Sequence, residues 1–114
     1  MAKPLPPFVL RVLDLLSPLG EPRARAMFGG YGVYLDEKFM AIIVDDVLYL
    51  KADDELKPEY LKRGMAPFTF EMRGKPETMP YYDVSEKTLK SGALFEELAK
   101  KSYEAAVRFR KKKR

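Results

Sequence analysis

The chain has 114 residues, with 21 Lys plus Arg against 17 Asp plus Glu, and neither His nor Cys. That length fits one domain able to bury about two thirds of its unfolded surface without metals or disulfides. The missing His and Cys exclude imidazole general bases, Ser-His-Asp triads, thiolate nucleophiles, disulfides and the usual zinc and haem ligation, and with no apolar run near the ~18 residues of a membrane span they point to a cytoplasmic domain.

The start carries Pro4, Pro6 and Pro7, which can open a helix but not sit inside one, and it lacks a signal-peptide pattern. Phe8, Val9, Val12, Leu13 and Leu16 then repeat at helical spacing, and the run Ser17-Pro18-Leu19-Gly20 stops that helix. Residues 21–28 read as a connection that becomes extended. Residues 31–35, 39–44 and 47–51 read as three strands, separated by the polar Asp36-Glu37-Lys38 and by Asp45-Asp46. Links this short require an antiparallel meander, because a parallel crossover needs a dozen or more residues.

Asp53 and Asp54 are N-cap candidates for a helix reaching Arg63, and Gly64 ends it. Residues 67–72 alternate, with Phe68, Phe70 and Met72 facing one way, and the turn Arg73-Gly74-Lys75-Pro76 leads to a last strand over 79–84. Pro80 assigns that strand to an edge. Ser85 or Ser91 caps the final helix, whose buried stripe is Phe95, Leu98, Ser102, Ala106 and Phe109, with Glu97 and Lys101 as an i,i+4 pair outside.

The element order is α-β-β-β-α-β-β-α. It predicts an α+β fold of two layers, an antiparallel sheet with helices packed on one face. Residues 39–44 offer apolar groups to both sides, Phe39, Ala41 and Ile43 on one and Met40, Ile42 and Val44 on the other. A strand apolar on both sides needs both covered. Either the helices wrap further around the sheet or a second copy lies on the open face.

Candidate chemistry is sparse. Gly29-Gly30-Tyr31-Gly32 invites a phosphate-loop reading, but Leu35 stands where a dinucleotide fingerprint needs Gly or Ala, and no Gly-Lys-Ser/Thr follows. A backbone device, a bulge or a close approach between strands, fits better. Asp45-Asp46 and Asp53-Asp54-Glu55 lack calcium-loop spacing and read as a hairpin turn and a helix cap. None of the serines, Ser17, Ser85, Ser91 and Ser102, sits in a nucleophile elbow. No catalytic residue, metal site or cofactor is expected. The seven tyrosines suit either sheet packing or base stacking beside basic residues.

The basic residues gather at the end of the chain. Arg108, Arg110, Lys111, Lys112, Lys113 and Arg114 fall in the last seven positions, and without them 15 basic residues face the same 17 acidic ones. The net charge of +4 therefore describes a slightly acidic domain over 1–107 and a cationic tail over 108–114. The tail is either a solvated helix end or a contact for nucleic-acid phosphates.

The stretch Arg25-Ala26-Met27-Phe28-Gly29-Gly30-Tyr31-Gly32-Val33-Tyr34 resembles the TfoX N-terminal domain family. So do residues 39–44, 46–53, 67–70 and 81–84, and the resemblance covers residues 8–107. It implies an α-β(3)-α-β(2)-α fold like that of secretion chaperones, and a non-enzymatic regulatory role. Full-length family members promote natural transformation as transcription co-activators with the cyclic-AMP receptor protein, and they carry a second, helical domain. This sequence is expected to be the stand-alone first domain, working through protein contacts by the sheet face or edge, with Met27, Phe28, Gly29, Gly30, Tyr31, Gly32 and Tyr34 as candidate interaction residues. A transcription regulator and a second copy of the chain are the expected partners. Nucleic acid held by the tail is the alternative, and a small-ligand binder or enzyme the third.

Overall fold

The computed structural model describes residues 5–27 and 29–112, with residues 109–112 described by their backbone alone. The chain starts with helix α1 (Pro7–Leu16), which has Pro at its first position and buries Val9, Val12 and Leu16. Ser17–Leu19 forms a single 3-10 turn. Four strands follow as a meander: β1 (Pro22–Met27), β2 (Gly30–Leu35), β3 (Lys38–Val44) and β4 (Val47–Lys51). Helix α2 (Lys57–Lys62) leads to the hairpin β5 (Pro67–Met72) and β6 (Lys75–Asp83), and helices α3 (Glu86–Lys90) and α4 (Gly92–Lys112) complete the order.

The architecture is the expected α+β one. The sheet is antiparallel throughout, and α1, α3 and α4 build a layer on one side of it. It has six strands, in the order β1-β2-β3-β4-β6-β5. The additional one is β1, formed by the segment read as an extended connection. It pairs with β2 along its whole length, from Pro22↔Leu35 to Met27↔Gly30. Its inward side chain Ala24 is small and its outward ones, Arg23 and Arg25, are charged, so its hydrophobic signal is weak, as suits an edge strand.

Local chemistry sets the hairpins. Asp36 and Glu37 have φ of 47° and 69°, Asp45 and Asp46 of 52° and 60°, and Arg73 and Gly74 of 56° and 80°. Two successive positive φ values form the two-residue turn whose twist matches paired strands. The Asp36 carboxylate also accepts from the Glu21 backbone N–H at 2.8 Å, joining the start of β1 to the β2–β3 turn.

Strand β6 lies inside the sheet, between β4 and β5, which corrects the edge position inferred from Pro80. Pairing with β4 ends at Lys51↔Tyr81, and the register with β5 jumps from Pro67↔Tyr82 to Phe68↔Met79. Pro80 sits in that irregularity, where no ladder bond from its nitrogen is required.

A second irregularity changes which side chains face the core. Val33 pairs with Ala41 but Tyr34 pairs with Phe39, so Met40 is an extra residue in β3. Beyond a bulge the alternation reverses. Met40 is fully buried with Ala41 and Ile43 beneath the helices, while Phe39 turns to the outer face with Ile42 and Val44. The sequence alternation had placed Phe39 with Ala41 and Ile43.

The expected last helix is two. Ser85 caps α3 by accepting from the Thr88 N–H at 3.2 Å, Ser91 is extended, and α4 begins at Gly92. Phe95, Leu98, Ser102 and Ala106 form its buried stripe as expected, joined by Ala99 and Ala105. The side chain of Phe109 lies outside the described residues. Helix α4 runs on through Lys112, past the tail boundary placed after residue 107. The expected Glu97–Lys101 pair gives way to contacts with α2: Lys101 Nζ bonds Glu59 at 3.1 Å, and Glu97 accepts from Arg63 at 3.3 Å.

Candidate interaction face

The helix-free side of the sheet is built by the second half of each strand's alternation. Cross-strand register places Arg23 beside Tyr34, Tyr34 beside Phe39, and Lys51 beside Tyr81. Rings touch across the strands. Tyr34 stacks on Phe39 with centroids 5.1 Å apart, and Phe39 leans on Tyr81 at 5.8 Å. A second group joins Tyr49 edge-on to Phe68 at 5.1 Å and Phe68 to Phe70 at 6.0 Å. Between them lies Ile42, 7 % exposed. Tyr34, Phe39, Tyr49, Phe68 and Phe70 remain half-buried, and Met72 at the end of β5 is 54 % exposed.

The glycines of the Met27–Tyr34 stretch make room for this face. A Cβ on Gly30 would collide with the Ile43 carbonyl oxygen of β3. A Cβ on Gly32 would come within 2.6 Å of Met27 Cε and 2.9 Å of Phe39 Cε1, so Met27 and Phe39 pack over the bare backbone there. This is the close-approach role expected for the glycines. Met27, Gly32 and Tyr34 lie on the outer face, Tyr31 points into the core layer, and Gly29 lies in the β1–β2 turn. Phe28 lies outside the described residues.

Charge on the face is sparse but placed on rings. The Arg23 guanidinium carbon lies 5.6 Å from the Tyr34 ring centroid and the Lys51 amine 5.1 Å from that of Tyr81. Lys51 is only 6 % exposed, and burial pulls its ammonium below the usual range, with Asp53 partly offsetting this. Burial pushes the Tyr81 hydroxyl up to about 12, with Tyr34 adding to the rise. Burial, then the carboxylates of Asp83 and Asp45, also raises Tyr49.

Of the tail cations, Arg108 is drawn back into the fold. Its Nε and Nη2 donate to the two carboxylate oxygens of Asp53 at 2.8 and 3.0 Å, and Glu55 lies 3.5 Å away. Helix α2 begins only at Lys57, with Leu56 at its N-cap and no side-chain cap, so Asp53 is not its cap as expected. Asp53 Oδ1 instead accepts from the Leu56 N–H at 3.0 Å in the turn before the helix, and the same carboxylate holds the end of α4. Arg110, Lys111 and Lys112 continue the helix backbone; their side chains, and Lys113 and Arg114 entirely, lie outside the described residues. No group of three metal-ligating side chains assembles among the described residues. The alternation of Phe68, Phe70 and Met72 was visible in the sequence, but the grouping of Tyr34, Phe39, Tyr81 and Lys51 needed the bulge and the β4–β6 pairing.

The molecule is thus a small two-layer α+β domain whose sheet turns an aromatic face away from its helices. It belongs to the TfoX N-terminal domain family, whose description matches residues 14–106. It is 28 % identical over 95 residues to Protein Sxy of Escherichia coli (strain K12), covering 83 % of this chain and 46 % of that protein. It is 26 % identical over 76 residues to DNA transformation protein TfoX1 of Aliivibrio fischeri (strain ATCC 700601 / ES114), covering 67 % of this chain and 36 % of that protein. The chain spans less than half the length of these curated relatives.

Proposed function

We propose that the chain is a non-enzymatic protein-interaction module of a regulatory kind, acting in DNA transformation like the relative whose name records that role. The observation that carries this reading is the outer face of the sheet, with Phe39, Ile42, Tyr49, Phe68 and Phe70 side by side on a rigid support. Contiguous apolar surface of this kind marks contacts between proteins. The partner is a transcription regulator, and a second copy of the chain is a further occupant of the same face. The nucleic-acid reading is weaker, because Arg108 already serves Asp53.

Deletion of the gene, followed by complementation, tests the reading. Loss of transformation and of transcription of DNA-uptake genes is expected, with rescue by the wild-type chain but not by Phe70→Ser with Met72→Glu. Met72 is exposed, so Met72→Glu alone spares the fold and should weaken rescue. Full rescue by both variants would remove the face from function. Unchanged transformation on deletion would remove the role.

A further inference from the structure

At one end of the sheet, where the β2–β3 turn approaches α4, lies a cleft of about 250 Å³ bounded by Tyr34, Glu37, Lys38, Phe39, Lys51, Tyr81 and Ala106. Its aromatic wall is the continuous row Tyr34, Phe39 and Tyr81. Each end of that row carries a cation on a ring, Arg23 on Tyr34 and Lys51 on Tyr81. Lys38 adds a third positive group. Among the described lining residues the carboxylate is Glu37, bound by Arg23 at 2.8 Å, and Asp53 acts on Lys51 from outside the lining. The cleft is therefore aromatic in its walls and cationic in its balance.

We propose that this cleft binds a small aromatic anion, a flat ring bearing a carboxylate or a phosphate, with the ring against Tyr34 and Phe39 and the anionic group directed to Lys51. Three features support it. A half-buried ring surface takes a second ring by offset or edge contact. A lysine amine in a desolvated setting gains more from an anion than one in water, because the low local dielectric strengthens the pair. Small-molecule sites are concave and mostly apolar, with a few polar groups that converge, as the Tyr34 and Tyr81 side chains and Lys51 do here. The inference does not depend on the docking role of the face, since of the residues that carry that reading the cleft uses Phe39 alone.

The test is a titration of the ¹⁵N-labelled full chain, followed by amide shifts, with benzoate, phenyl phosphate, benzamide and inorganic phosphate as separate probes. Saturable shifts gathered around Tyr34, Phe39, Lys51 and Tyr81 are expected with benzoate, with phenyl phosphate or with both, and the stronger of the two reveals the anionic group preferred. Benzamide and inorganic phosphate should bind at least about tenfold more weakly, one lacking the charge and the other the ring. Lys51→Met should weaken the aromatic anion by a similar factor. The proposal is overturned if neither aromatic anion gives saturable shifts in the cleft, or if benzamide or inorganic phosphate matches them. Equal binding by a folded Lys51→Met chain also overturns it. The four-probe comparison on the unaltered chain decides the matter even where the variant does not fold.

Discussion

Tyr60 joins α2 to α4 through a buried polar contact that sequence periodicity does not announce. Its hydroxyl donates to the Leu98 carbonyl at 2.8 Å and, that proton being used, accepts from Ser102 Oγ at 2.6 Å. Both Tyr60 and Ser102 are fully buried. Tyr60→Phe should cost about 1 kcal/mol in urea unfolding, at the low end because Ser102 can turn its hydroxyl to the Leu98 carbonyl one helical turn back. The tyrosines also set an alkaline limit. Burial raises Tyr81 to about 12 and Tyr60 further, above the ordinary value of 10.0. A raised folded value means that the contribution to stability is complete below pH 10 and is lost as pH climbs through the folded value. Absorbance titration at 295 nm should show Tyr81 and Tyr60 ionising late, with Tyr49 also above the ordinary value. In Tyr81→Phe the late group near pH 12 should vanish, and stability should fall less steeply between pH 10 and 12; an unchanged titration curve would contradict this assignment.

Elements are held to one another by a few well-placed contacts. The β1–β2 hairpin crosses β3 with no space for a side chain at Gly30, where the obstacle is backbone, whereas at Gly32 the obstacle includes the flexible end of Met27. Gly30→Ala should therefore cost more than about 2 kcal/mol in thermal or urea melts, and Gly32→Ala less than about 1 kcal/mol. Equal losses would show that the Met27 side chain cannot yield. The end of α4 is fixed by the two-bond contact of Arg108 with Asp53, whose side chain is 9 % exposed. Removing the guanidinium takes two charge-assisted hydrogen bonds from that largely buried carboxylate, which keeps its bond from the Leu56 N–H. Arg108→Ala should cost about 1–3 kcal/mol and speed hydrogen exchange in the last turns of α4. Unchanged exchange there would mean that apolar packing alone secures the helix. The absence of the expected Glu97–Lys101 pair follows from the same geometry, because α2 offers each of these side chains a partner across the helix interface.

For the whole molecule, the sheet has one face beneath the helices and one that presents rings. Six strands at roughly 4.8 Å spacing, about six residues long, span about 600 Å², the low end of one partner's share of a standard interface, ~800 Å². Face-to-face association of two copies would cover it. Light scattering on a sizing column should then give twice 13.1 kDa at high concentration and return to 13.1 kDa for Phe70→Ser with Met72→Glu. A monomer at every concentration would leave the face to a different protein.

Much of this architecture was legible from nearest neighbours along the chain. The turns placed at residues 36–38, 45–46 and 73–76, the break after Leu16, the stop at Gly64 and the stripe on α4 all follow from local backbone preference and side-chain period, though the structure narrows the first and last turns to two residues and starts β6 already at Lys75. So did the lack of imidazole and thiol chemistry, which is a matter of composition. Other features depend on residues far apart in the chain. The face chosen by Phe39 depends on one extra residue in β3, the interior place of β6 on pairing with β4, the strand character of 22–27 on a neighbour that supplies its hydrogen bonds, and the engagement of Arg108 on a carboxylate 55 positions away. Periodicity is a property of a segment, while register, burial and charge pairing exist only once segments meet. That is why the positions of most helices and turns could be read directly, while the split of the last helix and the aromatic row with its buried lysine became visible only in the folded chain.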